Sequence, residues 1–303
     1  MRMHADQITV AEPTAAALVA AQFPQWASLP LSPVVPGGTV HTVYRMGERL
    51  ALRFPLTPGD PAAVHRRLAA EAAAAREIAG HSPVATPRPV AIGGPGEGYP
   101  LPWAVWTWLP GTPADQVAGI GESTALALDV ADLIRRLRAM DVRGRVFAGS
   151  GRGGRLADHD AWVRTCLERS EGLVEVAALR RLWERMRDLP RGPRPDVMSH
   201  TDLIPGNLLV RQGRLTGLLD VGGLGPADPA LDLVSAWHLL EKRPRDLVRE
   251  ALDCDGAEWE RGRAWAFEQA IGLVWYYLHS NPPISRMGLR TLRRITEDAE
   301  SAA

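Results

Sequence analysis

The stretch between His200 and Asp220 concentrates side chains that could do chemistry. Asp202 and Asn207 lie near each other in it, separated by a segment that contains a proline and a glycine, and Asp220 precedes Val-Gly-Gly. A carboxylate can hold an attacking hydroxyl group, and carboxylate and amide oxygens can hold Mg²⁺ beside phosphate oxygens. If these side chains converge within a few ångströms, they suit phosphoryl transfer.

The residues after Asn207 have the pattern of a β-hairpin that would bring these side chains together. Gln212-Gly213 suits a two-residue turn, and counting back from it predicts that Asn207 faces Leu218. Strand side chains alternate between faces, so Asp220 and Asn207 become diagonal neighbours within reach of a shared ion. The opposite face is then apolar, with Leu208, Val210, Leu215 and Leu219.

The elements that precede this stretch predict a small sheet with a long helix. A proline near the start and Gly80 just after the end mark a helix over 61–79, and an alanine-rich segment marks another over 11–23. Alternating apolar residues between turn signals predict strands. These strands cover Val40–Met46, Leu50–Phe54, Pro89–Ile92 and Trp103–Leu109.

From about residue 111 onward the pattern is mainly helical. Helices are predicted over 122–140, 158–170, 175–188, 229–240, 243–252, 257–279 and 284–298, with the hairpin within 198–222 between them. The fold class is therefore α+β, with a small antiparallel-sheet N-terminal lobe and a larger helical C-terminal lobe. A hinge falls at about 106–111, and nucleotide sites favour a crevice between two such lobes.

Composition limits the class of protein further. The chain has 303 residues, no formal net charge and two cysteines without metal-ligand spacing, Cys166 and Cys254. A neutral chain has no overall field that attracts nucleic acid or anionic lipid. Few cysteines and the lack of an apolar leader or a membrane-length apolar window predict a cytoplasmic protein without a membrane or nucleic-acid partner.

Several short motifs occur in a specific order along the chain. They are Pro36-Gly37-Gly38, Leu52-Arg53-Phe54-Pro55, Gly96–Pro100, Trp108–Gly111, H-x-D-x-x-x-x-N at 200–207, D-x-G at 220–222, Asp228–Leu233 and Tyr276-Tyr277. With these motifs the chain resembles the aminoglycoside phosphotransferase family, which has a protein-kinase-like fold. The resemblance implies a nucleotide-binding lobe over 1–110 and a lobe with the catalytic loop and acceptor site over 111–303.

The resemblance also implies roles for single residues. Asp202 would be the catalytic base or hydroxyl-orienting carboxylate, and Asn207 and Asp220 would bind Mg²⁺. Arg53 stands where the family has a lysine that grips the α- and β-phosphates, and Glu71 would be its helix partner, with Glu77 as the competing partner. Arginine keeps the charge and can bind phosphate bidentately.

The remaining nucleotide contacts follow from the same resemblance. The loop with Gly37 and Gly38 would lie over the phosphates, although these glycines could simply turn the hairpin. Trp106, Thr107 and Trp108 would form the hinge whose backbone receives adenine. ATP is the expected donor, and GTP is the alternative.

Three residues near the site are interpreted as structural. His200 would orient the loop by hydrogen bonding to backbone. Asp228 precedes Pro229, which is typical of a helix N-cap followed by proline at the first helical position. Asp232 would brace the catalytic loop.

The acceptor site is the least determined part. Glu268 lies on an apolar helix face and needs a cation, either a substrate ammonium or a protein arginine. Glu241 and Asp246 are weaker candidates that also suit a solvated surface. The expected function is transfer of the γ-phosphate of ATP to an aminoglycoside or similar antibiotic, which confers resistance. The alternatives are a kinase for a macrolide, a cyclic-peptide antibiotic or a hydroxylated metabolite, and a non-catalytic nucleotide-binding regulatory module.

Overall fold

The computed structural model describes residues 7–34, 40–149, 151–192 and 194–301. Gly37 and Gly38, the predicted phosphate-loop glycines, lie outside these ranges. The chain divides into two compact units: the first contains Met1–Gly80 and Thr86–Pro110, and the second contains His81–Ala85 and Gly111–Ala303.

The first unit is built on one antiparallel sheet. The strand order is β1-β2-β3-β5-β4, and the strands are β1 Leu31–Pro33, β2 His41–Met46, β3 Leu50–Pro55, β4 Pro89–Gly93 and β5 Trp103–Thr107. The predicted strands are all present, whereas β1 was not predicted. Phe54 of β3 stacks on Trp103 of β5 with ring centroids 5.0 Å apart, and both side chains are fully buried. These rings form the centre of the unit's core.

Two helices complete the first unit, α1 Glu12–Gln22 and α2 Pro61–Ala79. The bounds of α2 are those predicted from the sequence. The Asp60 carboxylate accepts a hydrogen bond from the N–H of Ala63 at 2.9 Å, and Pro61 occupies the first helical position. These are the standard features of a helix start, and α2 packs against β4 and β5.

The second unit is mainly helical, as predicted. Its central helix α8 is buried along most of its length and packs against α9, α6 and α4. The helices are α3 Thr124–Arg138, α4 Asp160–Arg169, α5 Val176–Met186, α6 Val234–Leu239, α7 Lys242–Ala251, α8 Gly256–Tyr276 and α9 Pro282–Ser301. In the part of the chain that the structure describes, no helix has both the length and the apolar character needed to cross a membrane.

Two small antiparallel sheets lie in the second unit. One has the order β6-β8-β9, with β6 Thr112–Pro113, β8 Leu208–Arg211 and β9 Arg214–Leu218, and the other pairs β7 Val197–Ser199 with β10 Gly225–Ala227. The hairpin of β8 and β9 was predicted, and the strands β6, β7 and β10 were not.

The predicted hairpin register is wrong at its open end. Arg211 faces Arg214 as the turn requires, but Leu209 pairs with Gly217 while Val210 pairs with Leu215. The extra residue, Thr216, forms a β-bulge, and its hydroxyl donates to the carbonyl of Leu209 at 3.2 Å. The bulge moves every later pair by one position.

Asn207 is therefore opposite Leu219 rather than Leu218. The N–H of Leu219 donates to the carbonyl of Asn207 at 2.8 Å. Leu218 pairs instead with Leu208, and both are fully buried. The shift places Asn207 against the residue that directly precedes Asp220.

Candidate active site

The loop between β7 and β8 carries the predicted catalytic residue, and Asp232 anchors its first half. The Asp232 carboxylate accepts hydrogen bonds from the Ser199 hydroxyl at 2.8 Å and from the N–H groups of His200 and Thr201 at 3.0 and 3.3 Å. Asp232 is 3% exposed. These bonds to a buried charged acceptor are strong, so they fix where the loop leaves β7.

His200 connects this loop to the end of the hairpin. Its side chain is fully buried, and its Nε2 lies 2.9 Å from the carbonyl oxygen of Leu219. A carbonyl can only accept, so Nε2 carries the proton and donates. His200 thus contacts backbone, as the sequence interpretation proposed, and fixes the position of the residue before Asp220.

Asp202 presents a partly exposed carboxylate whose two oxygens differ. Oδ1 accepts from Nε2 of Gln269 at 2.8 Å and lies 3.2 Å from an Nη of Arg152. Oδ2 lies 3.4 Å from the amide nitrogen of Asn207. The side chain is 37% exposed. Oδ1 is held by the protein, and Oδ2 is the oxygen that can turn toward a substrate.

Asn207 is oriented by the same loop. Its Nδ2 donates to the main-chain carbonyl of Asp202 at 2.9 Å. With the nitrogen engaged there, the Oδ1 atom is the natural ligand for a cation. The peptide bond of Asn207 also contacts Leu219, as described above, so Asn207 belongs to both segments of the site.

Asp220 lies at the exposed start of a short 3₁₀ turn, Val221–Gly223. Its backbone is left-handed, with φ 52° and ψ 44°, a conformation that an aspartate tolerates better than most residues. The hydroxyl of Thr201 donates to the carbonyl of Gly223 at 3.1 Å, and a Cβ on Gly223 would come within 2.6 Å of that hydroxyl oxygen. The structure therefore holds the Asp220 turn close against the loop of Asp202.

The oxygen donors at this site fit Mg²⁺. Mg²⁺ is usually held by one or two protein carboxylates together with phosphates and water, rather than by a complete protein cage. Asn207 offers an amide oxygen and Asp220 an exposed carboxylate. Within the described ranges, no group of three or more His, Cys, Asp or Glu side chains could form a complete metal site.

Asp228 accepts the hydrogen bond of an N-cap, but it closes a turn and not the first turn of the predicted helix. Its Oδ1 accepts from the N–H of Ala230 at 3.1 Å, whereas the next helical turn begins only at Leu231. Its Oδ2 pairs with the Arg261 guanidinium of α8 and accepts from the Trp265 indole at 3.1 Å. The ion pair is 2–3% exposed, so the carboxylate also joins this turn to α8.

Glu268 is a buried carboxylate with protein partners. It is 3% exposed, its Oε1 lies 2.9 Å from Nδ1 of His159, and its Oε2 lies 3.9 Å from an Nη of Arg152. The hydrogen bond that His159 donates to Glu268 raises the pKa of His159, against the opposing effect of burial. The cation that Glu268 requires is therefore supplied by the protein.

The other two acceptor candidates also have protein partners. Glu241 pairs with Arg294, and the hydrogen bond from that arginine lowers the pKa of Glu241. Asp246 pairs with Lys242 at 3.0 Å on an exposed surface.

Arg152, His159 and Gln269 belong to the site although the sequence did not single them out. Arg152 lies in a glycine-rich segment without secondary structure, and Gln269 is the neighbour of Glu268 on α8. The sequence signal at Gln269 is a polar side chain on an apolar helix face, and Arg152 has no comparable signal. That signal does not identify a contact with Asp202.

In the first unit, Arg53 lies on β3, and His41 and Trp106 are among its neighbours. An Nη of Arg53 is 3.2 Å from Nδ1 of His41, and its guanidinium lies 5.7 Å from the centre of the Trp106 ring. Glu71 lies 3.8 Å from Nε of Arg67 on the same helix. The pairing of Arg53 with Glu71 stays a prediction.

The predicted adenine hinge has two of its N–H groups engaged in the first unit. The N–H of Thr107 donates to the carbonyl of Arg88 at 2.9 Å, and that of Trp108 donates to the carbonyl of Arg49 at 2.7 Å. A base that binds here would need a different donor.

Comparisons with known proteins agree with this architecture. The model of the phosphotransferase enzyme family (APH) matches residues 33–265. An aminoglycoside 3'-phosphotransferase of Escherichia coli is 30% identical over 151 residues, which are 46% of this chain and 52% of that enzyme. A similar enzyme of Salmonella typhimurium has the same identity and coverage. The match therefore spans about half the length of these relatives.

Solved structures resemble nearly the whole chain. A GDP complex of aminoglycoside 2'-phosphotransferase-IIIa has a TM-score of 0.68 and 18% identity, with 96% of this chain and 100% of that chain covered. Macrolide 2'-phosphotransferase MphH from Brachybacterium faecium has a TM-score of 0.61 and 21% identity, with 91% and 97% covered. At these identities the similarity establishes the protein-kinase-like fold of such enzymes.

Proposed function

This chain belongs to the phosphotransferase enzyme family, and we propose that it transfers the γ-phosphoryl group of ATP to a hydroxyl group of an aminoglycoside or similar antibiotic. The observation that carries the proposal is the geometry at Asp202. One carboxylate oxygen is held by Gln269 and Arg152, and the other remains at a partly exposed surface beside Asn207. The contact of Oδ2 with Asn207 is long, at 3.4 Å, so this oxygen can also accept a hydrogen bond from a substrate hydroxyl.

The chemistry follows from this arrangement. Oδ2 of Asp202 accepts the hydrogen bond of the acceptor hydroxyl and orients its oxygen toward the γ-phosphorus. A new O–P bond forms, the bond to the β-phosphate oxygen breaks, and the hydroxyl proton passes to Asp202 or to solvent. Asn207 and Asp220 would hold Mg²⁺, which supplies positive charge against the phosphate oxygens. The chain's own contribution is positioning and electrostatic stabilisation.

The nucleotide would be held by the first unit. Arg53 would anchor the phosphates, with Glu71 near it and the glycines at 37 and 38 over them. Because the N–H groups of Thr107 and Trp108 already bond within the sheet, the adenine would use the carbonyls of this segment or the N–H of Leu109. ATP is the proposed donor, GTP is the alternative, and the cytoplasm supplies both.

A macrolide is the second candidate acceptor. A macrolide is favoured by the fact that all three acidic acceptor candidates already pair with cationic side chains of the protein. These candidates are Glu268, Glu241 and Asp246. A polycationic aminoglycoside would have to compete with Arg152 and His159 for Glu268, whereas a largely neutral acceptor would not. Phosphorylation of either acceptor in the cytoplasm would confer resistance.

An acceptor screen tests the proposal. The purified protein is incubated with Mg²⁺ and ATP and with kanamycin, gentamicin, streptomycin or a macrolide, and mass spectrometry detects products with one added phosphoryl group. We expect a phosphorylated product that is lost in Asp202→Asn. Products from macrolides alone would assign the second acceptor class. Tight ATP binding without any product would identify a regulatory module and overturn the proposal.

A further inference from the structure

A buried row of polar side chains runs from Asp202 into the core of the second unit. Gln269 Nε2 lies 2.8 Å from Oδ1 of Asp202, and Gln269 Oε1 lies 3.1 Å from Nε2 of His238. Nδ1 of His238 lies 2.9 Å from the hydroxyl oxygen of Thr291. Gln269, His238 and Thr291 are 7%, 2% and 0% exposed. The row joins α8, α6 and α9 behind the partly exposed carboxylate.

The direction of each hydrogen bond in the row can be deduced from the chemistry of its ends. A carboxylate only accepts, so Gln269 must present its NH₂ group to Asp202, which leaves its Oε1 facing His238. Oε1 also only accepts, so Nε2 of His238 must carry a proton. If His238 is neutral, its Nδ1 is then an acceptor, and the Thr291 hydroxyl donates to it. The same hydroxyl lies 2.9 Å from the carbonyl of Met287, so Nδ1 shares this donor with that carbonyl.

His238 is indeed held neutral. Complete burial lowers its pKa to about 4, against a smaller opposing effect of the hydrogen bond to Gln269, and the positive charges of Arg152 and Arg294 act in the same direction as burial. A buried imidazolium next to two arginines would be costly. With His238 neutral, the three side-chain contacts of the row each join a donor to an acceptor only when the hydrogen bonds run from Thr291 to His238, then to Gln269, then to Asp202.

We propose that Gln269 is a positioning residue for Asp202 and that His238 and Thr291 fix the orientation of its amide group. The proposal rests on the phosphotransferase function proposed above. The opposite amide orientation would place Oε1 of Gln269 2.8 Å from a carboxylate oxygen, which is repulsive. With the amide fixed, Oδ1 of Asp202 is held and the direction of Oδ2 toward the acceptor hydroxyl is defined.

The loss of this support should affect the rate more than nucleotide binding. Misplacement of a catalytic group by about 1 Å can lower the rate by about a hundredfold. Gln269→Met keeps the size and shape of the side chain but removes both hydrogen bonds. We expect kcat to fall tenfold to about a hundredfold with an unchanged KM for ATP. An unchanged kcat would overturn the proposal.

A matched pair of threonine variants tests the far end of the row. Thr291 and Thr296 both lie on α9, and each hydroxyl also contacts the carbonyl one turn earlier, at 2.9 Å. We expect Thr291→Val to lower kcat severalfold, Thr291→Ser to restore most of that loss, and Thr296→Val, the control, to keep the wild-type kcat. Equal effects of the two valine substitutions would contradict a specific role of Thr291.

Nuclear magnetic resonance of ¹⁵N-histidine-labelled protein gives a readout that does not need activity. We expect His238 in the wild-type protein to be neutral at pH 7 with its proton on Nε2, and Thr291→Val to change its Nδ1 shift while Thr296→Val does not. A proton on Nδ1 would overturn the proposal even if kinase activity were found. The predicted spectrum in a protein that phosphorylates no acceptor would support the hydrogen-bond row and reject the kinase function alone.

Discussion

Asp202 and Asp228 lie in two regions of the same unit, and both accept hydrogen bonds from an arginine and from a side chain of α8. Asp228 is 2% exposed, and the oxygen that pairs with Arg261 also accepts a hydrogen bond from the Trp265 indole. Asp202 is 37% exposed; Gln269 and Arg152 hold its Oδ1, and Oδ2 has only a long contact of 3.4 Å with the Asn207 amide. The number of partners is similar, but Asp202 is the more exposed of the two, and we propose that its Oδ2 contacts a substrate.

We infer from this difference that burial distinguishes a structural carboxylate from a catalytic one in this unit. A buried ion pair costs free energy when either partner is removed, because the other charge is left in a low-dielectric interior. A half-exposed carboxylate loses less stability when it is changed, because water can solvate what remains. We therefore expect activity to depend on Asp202 and stability to depend on Asp228.

The largest expected effect is the loss of kcat in Asp202→Asn. In Asp202→Asn the proton acceptor is lost, so kcat should fall by about 10²- to 10⁴-fold, the usual contribution of general acid–base catalysis. The free energy of unfolding should change little. Steady-state kinetics and urea denaturation measure the two quantities, and an unchanged kcat would remove the distinction between the two carboxylates.

The converse variant should affect stability. Asp228→Asn leaves the buried Arg261 without its counter-charge, and the free energy of unfolding should fall by about 3–5 kcal/mol. Urea denaturation measures this. The double variant Asp228→Asn with Arg261→Met removes both charges and serves as the control. It should recover part of the lost stability, whereas a further loss would show that the ion pair is not the cause.

A smaller effect on the free energy of unfolding is expected at His159, whose imidazole lies beside Glu268. The hydrogen bond that His159 donates to Glu268 raises the pKa of His159 above its ordinary value of 6.5. Its stabilising contribution is therefore complete below the unfolded pKa and is lost as the pH rises through the folded pKa. We expect His159→Gln to lower the free energy of unfolding more at about pH 6 than at about pH 8. The same loss at both pH values would contradict the assignment.

The smallest effect is expected at a third arginine–carboxylate pair, which lies on the surface. Arg214 is 63% exposed and lies 2.6 Å from Asp129. Water screens exposed ion pairs, so Arg214→Ala should lower the free energy of unfolding far less than Asp228→Asn does, and less still at high salt. A loss of unfolding free energy as large as that of Asp228→Asn would contradict the expectation that buried ion pairs contribute more to stability than exposed ones.

Local signals in the sequence predicted most of the elements. The bounds of α2 follow from a cap, a proline and a terminal glycine that all lie within or beside it. The hairpin turn was predicted in the same way. Its register was not, because the bulge at Thr216 depends on a side-chain contact with Leu209 that no short motif encodes.

Long-range contacts explain what the sequence could not predict at the site. Asp228 next to a proline has the local pattern of a helix cap, but Arg261, far along the chain, attracts its carboxylate. Gln269 likewise contacts Asp202 only because α8 packs behind the loop. The types and spacing of Asp202 and Asn207 led to the proposed chemistry, whereas the side chains that hold them come from separate elements.

We propose that Oδ2 of Asp202 accepts the hydrogen bond of the acceptor hydroxyl, whereas Asp220 and Asn207 hold the metal ion. Electron paramagnetic resonance of Mn²⁺, a substitute for Mg²⁺, measures metal binding in the presence of a non-hydrolysable ATP analogue. We predict that Asp202→Asn binds Mn²⁺ as the wild-type protein does and that Asp220→Asn binds it much more weakly. Equal Mn²⁺ affinity in Asp220→Asn and the wild-type protein would contradict the account.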